Sequence, residues 1–530
     1  MNALDLAREG WPCPTGPEMA RIDADAIERV GLPGRLLMES AGRSVAERIA
    51  HRFPEARRPL IVCGSGNNGG DGFVVARVLR EWNSACVPRV WLVGNGPKSE
   101  EARANLDLLD AAGVEVGRGF DAWIPGDPLA DSDLIVDALF GVGLARPVSG
   151  EYAALIEEIN ASAREVVSLD VPSGMCSDTG APLGVRVEPA RVIALGLPKL
   201  GLALQALDAS IEVVDFGLPG RSIERTGIRQ HLLTRPAAAA LLPPRPAQGH
   251  KGSFGHVLVV GGSAGKTGAV VLAAEGALRS GAGLVTAAVA RDLHPILEAK
   301  LTEAMTLALD EADSDGVLRG GAAGEVSAAL AVRSSLVLGP GLGQGSGAAE
   351  AVAGVLAASE RPAVVDADAL NALAGRPEGL RGPGPRVLTP HPGEAARLLG
   401  CGVEEVQSDR VAMARELASR SSAVVLLKGA RSVIADPAGV IWVNPTGGPG
   451  LASGGTGDVL AGVVGGLLAQ GLSALDAARL GAFLHGAAGD LGPDAGGLAA
   501  EVAVRLPSAR RDLETLEDSN PHVRAHSFPL

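Results

Sequence analysis

The chain has 530 residues, 46% of them apolar, and a formal net charge of −14 at neutral pH. Its length exceeds that of one ordinary domain and predicts two hydrophobic cores. The apolar content excludes a disordered chain, and the acidic balance argues against a nucleic-acid-binding surface. The apolar stretches near residues 270 and 460 contain charged residues and glycines, so no membrane span is predicted.

The cysteines and the N-terminal residues indicate the cell compartment. The five cysteines include no CxxC pair and are odd in number. This pattern indicates a reducing compartment and predicts no zinc site. Residues 1–9 lack the basic start and the apolar run of a signal peptide, so we expect a cytoplasmic protein.

The first motif is a glycine-rich loop at residues 64–72. It follows the apolar run 60–63 and precedes the apolar run 73–79, a pattern typical of strand, loop and helix. Such a loop lets backbone N–H groups approach an anion at the start of a helix. The glycines spell G-x-G-x-x-G, but the next strand ends in Gly94-Asn95 instead of the acid of a dinucleotide fold. The amides and the carboxylate of this loop favour a reactive crevice over a plain phosphate loop.

Two further apolar runs in the first half each end in an aspartate. Asp137 ends the run 133–137, Asp170 ends the run 165–170, and a glycine turn follows each. Ligands of parallel sheets bind beyond the carboxyl ends of the strands, so we expect both residues to converge with Asp71 on one site. The alternative is that they only cap the helices that follow.

The pattern of strands and helices lapses between residues 220 and 248, which contain several prolines, and then resumes. We interpret this stretch as the domain boundary. The loop 261–267 resembles a Walker A motif but is one residue too short, which argues against a P-loop NTPase. The residues after 506 look peripheral and partly disordered.

The strongest catalytic pattern of the second half is Ser453-Gly454-Gly455-Thr456-Gly457-Asp458. Glycines at a helix start would expose N–H groups to an anion, and Asp458 could act as a base on a substrate hydroxyl. The alternative role is an acid that stabilises the helix dipole. Lys428 follows the apolar run 424–427 where a nucleotide phosphate could lie. His391 stands between two prolines, and its spacing fits a helix cap as well as a substrate contact.

These residues resemble two known families. The first half is similar to the NAD(P)H-hydrate epimerases in the segments 37–42, 66–72, 136–143 and 170–174. The second half resembles the ADP-dependent NAD(P)H-hydrate dehydratases, which have a ribokinase-like fold, in the segments 250–252, 339–343, 389–394, 428–429 and 454–458. Both halves follow the order of the bifunctional nicotinamide nucleotide repair proteins. The chain departs from the family at Ser40, where asparagine is usual, which leaves the role of that helix open.

The resemblance implies an α/β protein of two domains. It implies a Rossmann-like, three-layer epimerase domain over residues 1–225, a ribokinase-like dehydratase domain over 226–505, and a peripheral tail over 506–530. The expected ligands are the hydrates of NADH and NADPH, known as NADHX and NADPHX, and ADP. The epimerase would interconvert the R and S hydrates, and the dehydratase would convert the S hydrate to NAD(P)H at the expense of ADP, releasing AMP and phosphate. We expect K⁺ in the epimerase, Mg²⁺ with ADP in the dehydratase, and a homo-oligomer.

The resemblance also implies site residues, and Asp170 and Lys199 are candidates for proton transfer in the epimerase. The hydrate contacts there would be Asn67, Asn68, Gly69, Gly70, Asp71, Gly141, Val142, Gly143, Leu144, Ala145, Arg146, Pro147 and Asp170. The potassium ligands would be Asn68, Asp137 and Ser173, which all offer oxygen. The dehydratase would bind the hydrate with Ala269, Gly343, His391 and the base Asp458, and the nucleotide with Lys428, Gly429, Ala430, Arg431, Ser432 and Gly457.

Two alternatives remain open on the sequence alone. The second half could be a ribokinase-like small-molecule kinase, since a glycine loop with an aspartate is shared across that fold. The first half could be a binding module without catalysis. Asn68, Asp137, Asp170 and Ser173 occur together in this chain, which argues against a mere binding module.

Overall fold

The computed structural model describes residues 10–124 and 126–515, and the backbone of 526–528. Two compact units divide between Gln230 and His231. The expected boundary at residue 225 falls in the last turn of the helix Gly220–Thr226. The stretch expected to lack regular structure also contains the strand Gln230–Leu232 and the helix Arg235–Ala239. Residues 1–9, on which the signal-peptide argument rests, lie outside the described residues.

The first unit is the expected three-layer α/β domain. Alternate residues of its central strand Pro59–Cys63 pack into different hydrophobic clusters, Ile61 into one and Val62 into the other. Helices therefore cover both faces of the sheet. Within the described residues its parallel strands lie in the order Ser210–Val214, Arg191–Leu195, Val166–Leu169, Leu134–Ala138, Pro59–Cys63, Arg89–Leu92 and Glu115–Arg118. The strand His526–Phe528 pairs antiparallel with Ser210–Val214.

The direction of strand addition reverses in the middle of this sheet. The chain adds strands on one side of Pro59–Cys63 and then returns to place Leu134–Ala138 on the other side. The loops that follow these two strands therefore flank one crevice, the usual ligand position in such a sheet. Helical segments of this unit are Gly16–Ala24, the π-helical turn Asp25–Arg29, Gly34–Arg52, Asn67–Trp82, Glu100–Ala111, Asp127–Ala130, Glu151–Ala161, Leu200–Leu204 and Gly220–Thr226.

The second unit contains a larger mixed sheet with its own reversal point. The chain starts at His256–Val260, adds two strands on one side, and returns to place Ser335–Leu338 on the other. The glycine loops after these two strands therefore meet. In spatial order the strands are Ile441–Val443, Val433–Ala435, Val424–Leu427, Arg386–Leu388, Ala363–Val365, Ser335–Leu338, His256–Val260, Leu284–Ala290 and Met305–Leu309; the first two of these pairings are antiparallel and the others parallel.

The helices of the second unit cover this sheet. Among the described residues, no helix has both the length and the apolar character that a membrane crossing requires. The α-helices are Arg235–Ala239, Thr267–Arg279, His294–Lys300, Ala322–Leu330, Ser346–Ala358, Asp368–Asn371, Pro392–Leu399, Val403–Ser408, Arg410–Ser421, Thr456–Ala469, Ala474–Asp490 and Ala499–Glu514, and the short 3₁₀ helices are Lys251–Phe254, Arg291–Leu293, Pro377–Leu380 and Pro449–Leu451.

The expected peripheral tail begins too early. The helix Ala499–Glu514 runs through residue 506, and Leu506, Ala509 and Leu513 are buried in the core of the second unit. These apolar residues recur at helical spacing, so the segment is integral to the domain despite its charged surface. Residues 518–521, which also suggested a tail, lie outside the described residues.

The contact between two core helices of the second unit yields a stability prediction. A Cβ atom on Gly462 would lie 2.0 Å from the backbone oxygen of Ala273, so alanine must push the helices apart. We expect Gly462→Ala to lower the free energy of unfolding by about 1 to 3 kcal/mol, as overpacking does. Gly324→Ala is the control, since nothing lies within 4 Å of its Cβ position. Equal denaturation midpoints for both variants would contradict the prediction.

Candidate active sites

In the first unit, three predicted potassium ligands lie in one hydrogen-bonded cluster. Asp137 is fully buried and accepts from the Ser173 backbone N–H at 2.9 Å and from the Ser173 hydroxyl at 2.5 Å. The Asn68 amide donates to the Phe140 carbonyl at 3.1 Å, and the Ser173 hydroxyl lies 3.3 Å from that same oxygen. Burial raises the pKa of Asp137, although hydrogen bonds from Ser173 and Ser168 oppose this. Sequence reasoning therefore grouped these residues correctly in space.

Beside this cluster lies a buried ion pair. The Lys199 ammonium donates to the Asp170 carboxylate, and Lys199 is only 1% exposed. The ammonium also donates to the carbonyls of Leu195 at 2.8 Å and Leu197 at 3.1 Å, which compensates its desolvation. Asp170 has a φ of 66°, a left-handed conformation that is rare for a residue with a side chain. Strained residues of this kind concentrate at functional sites.

Two carboxyl groups near this ion pair have no partner. Within the described part of the chain, neither Asp71 nor Asp23 forms a side-chain hydrogen bond or an ion pair. Asp71 is 8% exposed, and burial raises its pKa well above the usual range, with the charges of Asp170 and Asp23 acting in the same direction. Burial also raises the pKa of Asp23 to about 6, against the opposing charge of Lys199. Sequence reasoning did not identify Asp23.

The other predicted hydrate contacts border the same crevice. The helix Asn67–Trp82 begins at Asn67, whose side-chain oxygen accepts from Ser99 at 2.7 Å. A Cβ on Gly69 would lie 2.0 Å from the Gly64 carbonyl, so this turn requires glycine. Residues 141–147 form the loop after the strand Leu134–Ala138 and are partly or fully exposed. The structure thus brings residues 67–71, 141–147 and Asp170 to one edge of the sheet.

In the second unit, Asp458 lies in the first turn of the helix Thr456–Ala469, as predicted. Burial raises the pKa of Asp458 to about 6; the charge of Asp366 acts in the same direction, and Lys428 opposes it. Gly455, just before the helix, has a φ of 94°, which favours glycine. A carboxyl group that titrates near neutral pH in a helix-start anion site is suited to general-base chemistry.

The predicted nucleotide-binding lysine lies beside this helix start. The Lys428 ammonium lies 2.9 Å from the Asp366 carboxylate and 3.8 Å from that of Glu394. A Cβ on Gly457 would lie 3.4 Å from the same nitrogen, so the two predicted nucleotide residues are neighbours. Burial alone would lower the pKa of Lys428, but the charges of Asp366 and Glu394 outweigh it and raise the pKa. Lys428 is therefore a fixed cation of this site.

One predicted hydrate residue of this unit, Gly343, contacts Asp368. The Gly343 N–H donates to Asp368 at 3.0 Å, and the Lys266 ammonium lies 3.2 Å from the same carboxylate. Burial acts to raise the pKa of Asp368, but hydrogen bonds from Gln344 and Gly343 and the Lys266 contact outweigh it and lower the pKa. Ala269 lies in the first turn of the helix Thr267–Arg279, next to the loop that holds Lys266.

His391 has the capping geometry that the sequence left open. The ring Nδ1 of His391 accepts from the Gly393 N–H at 3.0 Å, and the backbone N–H of His391 donates to the Glu394 carboxylate at 2.8 Å. Together these bonds form a capping box for the helix Pro392–Leu399. Its Nε2 lies 3.4 Å from Glu394, and the side chain is 48% exposed. Capping thus occupies one ring nitrogen and leaves the exposed edge of the ring available to a ligand.

The loop after Lys428 is held by a residue that sequence reasoning missed. The Arg410 guanidinium donates to the carbonyls of Ala430 at 2.6 Å and Arg431 at 3.0 Å. Arg431 is itself buried and donates to the Pro445 carbonyl, so its guanidinium has a structural contact. The Ser432 hydroxyl donates to the Gly429 carbonyl at 3.1 Å.

His485 was also missed. It is buried in the middle of the helix Ala474–Asp490, and no group of the described residues forms a hydrogen bond with its Nε2. Burial lowers its pKa to about 4, so the ring is neutral at physiological pH. No local motif marks this histidine, because apolar residues and glycines surround it in the sequence.

Both units match known families. Residues 34–201 match the family described as YjeF-related protein N-terminus, and residues 257–507 match the family described as NAD(P)H-hydrate dehydratase. The bifunctional NAD(P)H-hydrate repair enzyme Nnr of Moorella thermoacetica is 43% identical over 520 residues, which cover 94% of this chain and 97% of that protein. The enzyme of the same name from Escherichia coli is 34% identical, with 98% and 96% covered.

Among solved structures, the ADP/ATP-dependent NAD(P)H-hydrate dehydratase of Bacillus subtilis, co-crystallised with ATP and Mg²⁺, is 34% identical. The match covers 53% of this chain and 98% of the Bacillus subtilis chain, with a TM-score of 0.47. Two α/β units, each matching a known family, define a two-domain enzyme. The chain belongs to the family of bifunctional NAD(P)H-hydrate repair enzymes.

Proposed function

We propose that the chain repairs hydrated NADH and NADPH in two steps, one in each unit. The first unit interconverts the R and S hydrates, and the second removes water from the S hydrate with ADP, releasing AMP and phosphate. The observation that carries this proposal is the position of Asp458 in the first turn of the helix Thr456–Ala469, where Gly457 lies beside the Lys428 ammonium. Family membership over the full length supports repair rather than a small-molecule kinase joined to a binding module.

In the dehydratase, Asp458 is the general base. It takes the proton of the hydrate hydroxyl, whose oxygen then attacks the β-phosphorus of ADP, and AMP leaves. The phosphorylated hydrate expels phosphate with help from the ring nitrogen, and loss of a proton from the adjacent carbon restores the double bond. Ala269, Gly343 and the exposed edge of His391 contact the hydrate, and residues 428–432 with Gly457 hold the nucleotide.

Magnesium fits the nucleotide side of this site. The carboxylates of Asp366 and Glu394 converge on Lys428 and supply the hard oxygen ligands that Mg²⁺ prefers. When bound with ADP, Mg²⁺ neutralises charge on the phosphates. Lys428 retains N–H donors for a phosphate oxygen because an ammonium carries three.

Potassium fits the epimerase cluster. Asn68, Asp137 and Ser173 provide amide, carboxylate and hydroxyl oxygens, and the Phe140 carbonyl lies within hydrogen-bonding distance of two of these side chains. Such a set of neutral and charged oxygens suits a hard cation. A bound K⁺ would fix the loop 141–147 through Phe140. Asn67, Asn68, Gly69, Gly70, Asp71 and Asp170 would contact the hydrate.

Asp458 yields a pH prediction. Its pKa is raised to about 6, so the ionised base is lost as the pH falls through that value. We expect kcat/KM for ADP-dependent dehydration to fall about tenfold per pH unit well below pH about 6, and Asp458→Asn to lose about 100- to 10,000-fold in rate. The measurement is recovery of reduced-nicotinamide absorbance from the S hydrate and ADP.

Asp494→Asn makes the same charge change at an exposed position and should dehydrate at the wild-type rate. The epimerisation rate should be the same in all three proteins, because that activity belongs to the other unit. Wild-type turnover by Asp458→Asn would contradict the assigned base.

Removal of potassium tests the cluster around Asp137. With tetramethylammonium as the only monovalent cation, we expect epimerisation to slow while dehydration in the same protein continues. Addition of K⁺ should restore the epimerisation rate, and Asp137→Asn should require more K⁺ because a neutral amide attracts the cation less. Equal epimerisation with and without K⁺ would rule out the potassium site.

A further inference from the structure

The helix Gly16–Ala24 carries Asp23 near its end and starts against a loop of the epimerase crevice. The helix begins with a capping box between Thr15 and Glu18, and its Gly16 N–H donates to Asp178 at 2.7 Å. A Cβ on Gly16 would lie 2.8 Å from the Val142 carbonyl oxygen, so the helix starts against the loop 141–147.

The segment before this helix forms a hydrogen bond with the residue that follows Lys199. The N–H of Leu200, the residue after Lys199, donates to the Pro14 carbonyl at 3.0 Å. The π-helical turn Asp25–Arg29 begins two residues after Asp23, and single π turns are frequent at functional sites. The helix that carries Asp23 is thus anchored to both the substrate loop and the buried ion pair.

Asp23 and Asp71 are two unpartnered carboxyl groups on different helices. Asp71 is 8% exposed, Asp23 is half-buried, and within the described residues neither side chain has a hydrogen bond or ion pair. The charge of Asp23 raises the pKa of Asp71, so the two groups interact. The charged groups that act on Asp23 are Lys199, which lowers its pKa, and Asp170, which raises it. Two interacting carboxyl groups do not both ionise readily, so such a pair carries one proton over a range of pH.

We propose that Asp23 and Asp71 are the proton-transfer pair that inverts the hydrate, an inference that rests on the epimerase function proposed above. Asp71, protonated, gives its proton to the hydrate hydroxyl. The C–O bond breaks, water leaves, and the lone pair of the neighbouring ring nitrogen forms a C=N bond. Water then adds to the opposite face of that carbon and gives its proton to Asp23, while the C=N electron pair returns to nitrogen.

This assignment gives Asp170 a different role. Lys199 holds Asp170 in a buried ion pair, so Asp170 positions the substrate and keeps a negative charge near the cationic intermediate. The net reaction inverts one carbon and moves one proton from Asp71 to Asp23. Exchange with solvent returns the pair to its starting state, and the reverse reaction uses the two groups in opposite roles.

The test is Asp23→Asn in the full chain, with Glu28→Gln as the control on the exposed part of the adjoining π turn. We expect Asp23→Asn to lower kcat for epimerisation about 100- to 10,000-fold with little change in KM. The fall in wild-type rate below pH about 6 should be absent in this variant and present in Glu28→Gln. Asp23→Glu should recover part of the rate and the pH dependence.

Two further readouts separate chemistry from folding. Wild-type epimerisation in ¹⁸O-labelled water should place solvent oxygen on the inverted carbon. Asp23→Asn should slow this oxygen uptake by the same factor as it lowers kcat for epimerisation. Thermal unfolding and ADP-dependent dehydration should match the wild type; if Asp23→Asn is misfolded, Asp23→Glu carries the pH test. A wild-type kcat and pH profile in Asp23→Asn would overturn the proposal. A wild-type protein that does not interconvert the hydrates would overturn the epimerase function itself.

Discussion

A lysine paired with a buried aspartate organises each of the two sites. Lys199 pairs with Asp170 in the first unit, and Lys428 pairs with Asp366 in the second. A lone buried charge is costly, so each pair must be kept intact once it is formed. In both units the lysine pairs with that aspartate, and within the described residues a nearby carboxyl group forms no hydrogen bond or ion pair. Asp71 and Asp458 are these groups, and burial raises the pKa of both. The fixed pair thus leaves beside it a carboxyl group whose raised pKa suits it to proton transfer.

The parallel sheets explain why such groups gather at one edge. Each sheet has a point where strand addition reverses, and the loops on either side of it open into one crevice. Glycine lets these loops approach closely: a Cβ on Gly64 would lie 2.0 Å from the Leu139 carbonyl, and one on Gly261 would lie 2.1 Å from that of Pro340. These motif glycines are therefore needed because a side chain would prevent the loops of the crevice from packing so closely. In the function proposed above, the reacting groups are the carboxyl and amide side chains held between them.

The sequence predicted most of this architecture because apolar β-branched runs ending in glycine or aspartate mark buried parallel strands. It failed where the signal depends on contacts between distant residues. Asp23 lies in an ordinary amphipathic helix, and only the fold brings it to residues 71, 170 and 199. The charged run 510–512 suggested a tail, yet Leu506 and Leu513 anchor that helix in the core. His391 fitted two roles on spacing alone, and the structure shows its Nδ1 in a helix cap.

The most direct measurement follows recovery of reduced nicotinamide from a mixture of R and S hydrates incubated with the full chain and ADP. The account predicts that both hydrates disappear, that absorbance returns fully, and that AMP and phosphate accumulate in step with it. Asp458→Asn should recover no absorbance under these conditions while still interconverting the hydrates. Consumption of ATP with accumulation of a stable phosphoester, and no recovery of reduced nicotinamide, would contradict the account and favour a small-molecule kinase.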